Sequence, residues 1–365
     1  MNGRDNAWFA IMAGGIGSRF WPASRPDRPK QLLSFGAGTR TLLRETVDRA
    51  AIIAGPDRTF VITSNSLQDA ITRHIDLLPR RNILAEPMKR NTLGAVLFAT
   101  AAVLAANEED ADPVLSILPA DHYIGGRAAF TDDISRAIRT ARETDALVTI
   151  GIRPKRPDEG YGYIETAGRG GRILDVVSFR EKPDARTAQK FLRSGRFLWN
   201  SGMFFWRVGA FMKQLQQASP DIALIAQDLI EATRKGDSQE QLEAFMALPD
   251  TSIDYALMER AASVKVITAT FEWDDLGSWD ALSRVSEADA DGNVVLGAVV
   301  VSDCRRCIVY NELPHPIAAM GLEDMVVAVG REGILVTPIH RAQGVRELSQ
   351  DARANGLSAA AGAGS

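Results

Sequence analysis

Three kinds of residue in this sequence could together handle phosphate: glycines that bare the backbone, cations beside them, and carboxylates at the ends of apolar runs. The stretch Phe9-Ala10-Ile11-Met12-Ala13-Gly14-Gly15-Ile16-Gly17-Ser18-Arg19-Phe20-Trp21-Pro22 puts three glycines directly after a short apolar run, and Lys30 follows. Glycine permits a tight turn and lets N–H groups approach a ligand closely. Amides aimed at one point form an anion site, to which Arg19 and Lys30 add full positive charge. The loop therefore reads as a polyphosphate cradle. A dinucleotide fingerprint is its rival, because Gly15-x-Gly17 follows a strand. That motif, however, has glycine where Phe20 stands and asks for neither cation. A Walker loop needs Gly-Lys-Ser/Thr, against Gly17-Ser18-Arg19 here. A plain structural turn is the remaining reading.

The carboxylates are Asp121, in Pro119-Ala120-Asp121-His122, and Asp275, in a loop between Trp273 and Trp279. Magnesium usually takes one or two carboxylates plus substrate phosphates, so two such groups suffice. Asp274 competes with Asp275 for the role, and an Asp at a strand end can equally cap a helix or turn. In Phe179-Arg180-Glu181-Lys182-Pro183, Lys182 could neutralise a monophosphate while Glu181 binds hydroxyls, although a solvated charge pair is the commoner fate of Glu-Lys. Trp199-Asn200-Ser201-Gly202 offers an amide and a hydroxyl of the kind sugar sites use. Glu86 precedes Pro87 and the turn Arg90-Asn91-Thr92, and a carboxylate can accept from both N1–H and the exocyclic amine of guanine.

The positioning elements follow from periodicity. Apolar runs near residues 8–12, 59–63, 82–85, 113–118 and 146–150 alternate with helical spacing at 41–53, 66–78, 93–106 and 128–143. Such alternation predicts a mostly parallel sheet covered on both faces, with ligands at the carboxyl ends of its strands, where the glycine loop and Asp121 both fall. After Arg153 the texture changes to strands at 160–165, 172–179 and 202–207, an antiparallel part joined to the sheet. Helices are expected at 208–217, 221–235, 239–248 and 253–262, then a strand at 264–269. Beyond Ala290, six short runs (294–296, 298–301, 307–310, 317–320, 325–329, 334–336) predict a small all-β unit, a curled or helical stack. The expected division is residues 1–288, 289–352 and a disordered low-complexity tail, 353–365.

Composition narrows the function. With 42 Lys+Arg against 46 Asp+Glu, the net charge of −4 gives no global attraction for nucleic acid or anionic membrane. No apolar run reaches the length of a membrane span and no signal peptide is evident, so a cytoplasmic enzyme is expected. The two cysteines, Cys304 and Cys307, lack a second ligand pair for zinc and read as reduced thiols in a turn.

Taken together, the segments resemble mannose-1-phosphate guanylyltransferase, a branch of the sugar nucleotidyltransferases. The resemblance rests on the glycine stretch, Glu86-Pro-x-x-Arg90-Asn91-Thr92, Pro119-Ala-Asp121-His122 and Gly160-Tyr-Gly162-Tyr-Ile164. It continues through Phe179-Arg-Glu181-Lys182-Pro183, Trp199-Asn200-Ser201-Gly202-Met203-Phe204, Ser252-Ile-Asp254-Tyr255 and Trp273-x-Asp275-x-Gly277-Ser278-Trp279. These occur in the family's order over about residues 8 to 350. Ile16 and Phe20 depart from commoner residues without removing a charge. The chain stops short of members that carry an isomerase domain, so the resemblance implies transferase activity alone.

What it implies is a Rossmann-like nucleotidyltransferase domain and transfer of GMP from GTP to mannose 1-phosphate, releasing pyrophosphate, with no covalent enzyme intermediate. Ala13, Gly14, Gly15, Gly17 and Ser18 would hold the nucleotide phosphates. Arg19 would stabilise the leaving pyrophosphate and Lys30 would lie near the α-phosphate. Asp121 and Asp275 would hold Mg²⁺. Lys182 would bind the sugar phosphate, with Gly162, Glu181 and Asn200 on the hydroxyls, and Glu86, Asn91 and Thr92 would read the base. Transfer with another nucleotide or hexose phosphate is one alternative. A non-catalytic GDP-mannose sensor is another. Edge strands in the C-terminal β unit could pair with a second copy, giving a homodimer.

Overall fold

Short apolar runs become strands here because both faces of the sheet they form are covered. The computed structural model describes residues 7–35, 40–108 and 111–355. They fall into two compact units, each drawn from three separate stretches of chain. The first takes residues up to 14, 46–119 and 124–273; the second takes 15–45, 120–123 and the chain from 274 onward. Residues 356–365 of the expected tail lie outside the described residues.

The first unit is built on a nine-stranded mixed sheet. From one edge it runs Ile83–Glu86, Thr59–Ser64, Ala7–Met12, Val114–Pro119, Phe197–Arg207, Leu147–Ile152, Val264–Thr268, Ile173–Arg180 and Tyr163–Thr166. The first four strands are mutually parallel, as the alternating pattern requires. Phe197–Arg207 enters antiparallel to both its neighbours. The far end curls back, so that Tyr163–Glu165 also pairs with Phe197–Trp199. This is the antiparallel part foreseen from the change of texture after Arg153.

The Ala-rich helix Asn91–Ala105 is buried along most of its length against Trp8, Phe60, Phe211 and Phe245. Two local expectations change. The helix expected at 253–262 is only one wide turn, a π-helix over Asp254–Met258. A helix that periodicity did not suggest covers Ala185–Ser194, started by the Asp184 carboxylate accepting from Thr187 N–H at 2.7 Å and stopped by Gly195 in the left-handed region.

In the second unit, all six expected strands form. Val294–Gly297, Ile308–Asn311 and Met325–Gly330 stack in parallel and Gly333–Pro338 closes them antiparallel, while Val299–Ser302 pairs in parallel with Ile317–Met320. Successive parallel rungs on two faces make a coiled β stack. Its core takes in the segment after the glycine loop: Phe20, Trp21 and Leu33 pack with Trp279, Tyr310, Val326, Ala328 and Leu335. Cys304 and Cys307 are free thiols buried beneath the smaller face of this stack. Among the described residues, no helix is long and apolar enough to cross a membrane.

Candidate active site

Met12 and Pro119 are partners in neighbouring parallel strands, and the chain leaves one for the glycine loop and the other for Asp121. Ala13 continues the ladder, donating its N–H to Ile62 O at 2.7 Å and accepting from the Thr63 hydroxyl at 3.0 Å. Gly14 and Gly15 are exposed. Gly17 has a positive φ of 69°, and a Cβ there would lie 2.2 Å from Lys30 Cβ, so only glycine fits. Ser18–Phe20 then forms a single 3₁₀ turn that leaves Arg19 exposed and Phe20 fully buried.

The second unit gathers one charged group of candidate residues. Lys30 is 5% exposed. Its ammonium donates to Asp121 Oδ2 at 2.9 Å and to the Asp275 carbonyl at 2.6 Å, with the Phe20 ring 5.9 Å away. One side chain thus ties together three loops that are distant in sequence. Burial pushes the Asp121 carboxyl up, but Lys30 and His122 together pull it down further, so it lies below its ordinary value and is ionised at neutral pH. Burial likewise draws the His122 imidazole down, with Asp121 only partly offsetting it, so His122 is neutral there.

Asp274 and Asp275, rivals in the sequence, take different positions. Asp274 is buried and held by both Nε and Nη2 of Arg284, at 2.7 and 3.2 Å, while its Oδ1 accepts from Leu276 N–H at 2.9 Å. Leu276 itself is buried at φ 49°, an uncommon conformation for a bulky residue. Asp274 therefore shapes the turn. The segment leading into Lys30 is anchored from far along the chain: Glu312 accepts from Arg25 at 2.8 Å and Arg28 at 3.0 Å, and Trp279 Nε1 donates to Trp21 O at 3.0 Å.

The first unit holds two further groups. Glu86 ends its strand with Oε1 sealed from solvent and without a hydrogen-bond partner, and burial pushes its carboxyl up to about 7. A Cβ on Gly14 would lie 3.8 Å from Glu86 Oε2, so the bare backbone that opens the glycine loop is beside this carboxylate. Asn91 starts the next helix at φ 55°, its Oδ1 accepting from Thr92 N–H. The Thr92 hydroxyl accepts from Ile253 N–H at 3.0 Å and so anchors the turn that carries Asp254.

The other group is Gly162, Glu181, Lys182, Asn200 and Asp254. Lys182 stands at φ 42°, largely exposed, with its ammonium 3.6 Å from Glu181 Oε1. A Cβ at Gly162 would meet Glu181 Oε2 at 2.6 Å. Asn200 donates Nδ2–H to Asp254 Oδ1 at 2.9 Å, while its Oδ1 accepts from Gly202 N–H at 3.1 Å, which fixes the amide's orientation. A β-bulge lies opposite, where Gly151 pairs with Asn200. Burial and the nearby Glu181 push Asp254 up to about 6. Asp254 is the functional candidate that residue-by-residue reading missed: its segment was visible only as a motif, and nothing local marks the π turn that brings the carboxylate to Asn200.

The comparisons agree with this architecture. The family description "Nucleotidyl transferase" matches residues 10–292, and "MannoseP isomerase/GMP-like beta-helix domain" matches residues 297–350. The chain is 36% identical to mannose-1-phosphate guanylyltransferase of Klebsiella pneumoniae, covering 94% of this chain and 74% of that one. It is 37% identical to the xanthan biosynthesis protein XanB of Xanthomonas campestris pv. campestris strain B100, covering 96% and 74%. A crystal structure described as mannose-1-phosphate geranyltransferase from Thermus thermophilus superposes with a TM-score of 0.85 at 34% identity, over 95% of this chain and 99% of that one. The chain belongs to the mannose-1-phosphate guanylyltransferase family of nucleotidyltransferases.

Proposed function

We propose that this enzyme transfers GMP from GTP to mannose 1-phosphate, giving GDP-mannose and pyrophosphate. The observation that carries the reading is Lys30, whose ammonium binds the Asp121 carboxylate and the Asp275 carbonyl together. A buried cation between two acidic loops beside a glycine turn is suited to a polyphosphate and its counter-ion.

The sugar phosphate is already an anion at neutral pH, so the chain need not supply a strong base. Its residues instead align two anions and neutralise charge. Gly14, Gly15 and Gly17 hold phosphate oxygens by backbone amides, with Ala13 and Ser18 at the loop's ends. Arg19, exposed, meets the leaving pyrophosphate, and Lys30 meets the α-phosphate. Two hard carboxylate oxygens suit Mg²⁺, which completes its shell with phosphates and water. Among the described residues, no group of three or more His, Cys, Asp or Glu is arranged to hold a metal ion, so phosphates would supply part of the shell. Bound by Asp121 and Asp275, the ion would neutralise phosphate charge. Lys182 takes the sugar phosphate, and Glu181, Asn200 and the Gly162 backbone take hydroxyls. The unpaired Glu86 Oε1 supports guanine as the base, since guanine alone among common bases offers two adjacent donors to a carboxylate. Asn91 and Thr92 would lie beside the base.

A coupled pyrophosphate-release assay with four nucleoside triphosphates and a panel of hexose 1-phosphates tests the reading. GTP with mannose 1-phosphate is expected among the best pairs, and its absence from them would refute the specificity.

A further inference from the structure

Lys30 makes contacts that a metal ion would make. Asp121 Oδ2 and the Asp275 carbonyl are both oxygen acceptors, they belong to the two loops assigned to the metal, and both are bonded to one ammonium. That ammonium is not a mobile surface charge. The Lys30 side chain is 6% exposed, its backbone N–H is bound to Ile16 O at 3.0 Å, and its stem is wedged against Gly17. Gln31 and Leu32 beside it are buried too. The Asp275 loop is equally fixed, through Asp274, Arg284 and the strained Leu276. A divalent cation arriving alone meets an Asp121 carboxylate whose charge is already offset by Lys30, and the nearest fixed ammonium repels the ion.

We propose that Lys30 is a charge gate: it holds the metal-binding carboxylate closed to divalent cations until a triphosphate arrives and takes over its ammonium. This rests on the reading of Asp121 as a metal ligand. Phosphate oxygens offer Lys30 stronger acceptors than one carboxylate, so the exchange frees Asp121 Oδ2 just when phosphates are present to share the ion. The metal then enters with the nucleotide and not before it. Lys30 acts twice in this scheme, first as Asp121's counter-ion and then as the nucleotide's.

The test is Mn²⁺ affinity measured by electron paramagnetic resonance on the whole protein, with and without GTP. A purely catalytic lysine predicts lost turnover and no gain in metal binding. The gate predicts that Lys30→Met binds Mn²⁺ without nucleotide more tightly than wild type, by about tenfold or more, because a repelling charge has gone. Lys30→Arg, which keeps the charge, stays near wild type. GTP then raises Mn²⁺ affinity far more in wild type than in Lys30→Met. Equal or weaker Mn²⁺ binding by Lys30→Met overturns the gate. Should Lys30→Met not fold, ¹⁵N-lysine spectra of the wild-type protein decide: the Lys30 ammonium resonance shifts on adding GTP without metal, and an unmoved signal overturns the exchange. Asp121→Asn separates the two readings. If it leaves Mn²⁺ affinity with GTP unchanged, the metal assignment itself is wrong; if it weakens that affinity while Lys30→Met gains nothing, only the gate fails.

Discussion

Replacing Glu86 with Gln keeps the shape of the side chain and removes its charge, and the structure sets both sign and size of the outcome. The carboxyl is raised from 4.5 to about 7 by burial, and its Oε1 has no partner to repay ionisation. Between those two values the folded protein binds more protons than the unfolded chain. Stability contributed by this group therefore falls as pH rises, a slope present above pH 4.5 and complete just above pH 7. A shift of this size amounts to about 3 kcal/mol in full, of which roughly 2.5 kcal/mol develops between pH 5 and pH 8. Urea denaturation of the nucleotide-free protein at several pH values should show wild type losing that much more stability than Glu86→Gln over the range. Groups common to both proteins, Asp254 among them, cancel in the difference. Guanine should reverse the penalty, since its N1–H and amine supply the missing donors. GTP affinity of wild type, compared with Glu86→Gln so that ionisation of GTP itself cancels, should rise about tenfold from pH 6 to pH 8 as the carboxylate forms. Parallel stability curves for the two proteins from pH 5 to pH 8 would refute the reasoning.

Other substitutions probe the remaining parts. Asp121→Asn and Asp275→Asn should each lower the Mg²⁺-dependent turnover by orders of magnitude, measured as pyrophosphate release. Asp274→Asn, which unpairs the Arg284 fork, should cost about 1–3 kcal/mol of stability in denaturant titrations. Gly17→Ala, facing both a positive φ and the Lys30 stem, should lower the melting temperature and raise the KM for GTP; a variant equal to wild type in both would contradict the loop geometry. Asp254→Ala should raise the KM for mannose 1-phosphate well beyond any fall in kcat, because the Asn200 amide loses its orienting acceptor, and a change in kcat alone would place Asp254 elsewhere in the reaction.

Sequence reading succeeded where one residue type had few physical options. Gly17 next to a cation, an apolar run ending in glycine, and six short apolar rungs separated by turns each admit little but what the structure contains. What it missed or left open has more than one cause. Asp275 was chosen over its identical neighbour Asp274, and the bonds that mark Asp274 as a shaper of the turn, from Arg284 and from Leu276 N–H, cannot be read from the pair itself. Asp254 reaches Asn200 through a π turn whose start is bonded to Thr92, a contact 161 residues away in sequence. The helix Ala185–Ser194 did have a local signature, Asp184 before it and Gly195 after it, but its short length hid the periodicity.

The second unit also has a timetable. Phe20, Trp21 and Leu33 are made early, yet the side chains that bury them, from Trp279 to Val345, are made last. At about 5–20 residues per second, the apolar floor after the glycine loop waits on the order of tens of seconds for its cover during synthesis. Over that interval Phe20 and Trp21 are sticky surface on a nascent chain. A chain cut near residue 288 would stay in that condition permanently, with Arg25 and Arg28 also deprived of Glu312. The β stack thus closes the hydrophobic core on which the segment after the glycine loop rests, and that core is complete only when the final coil has been laid down.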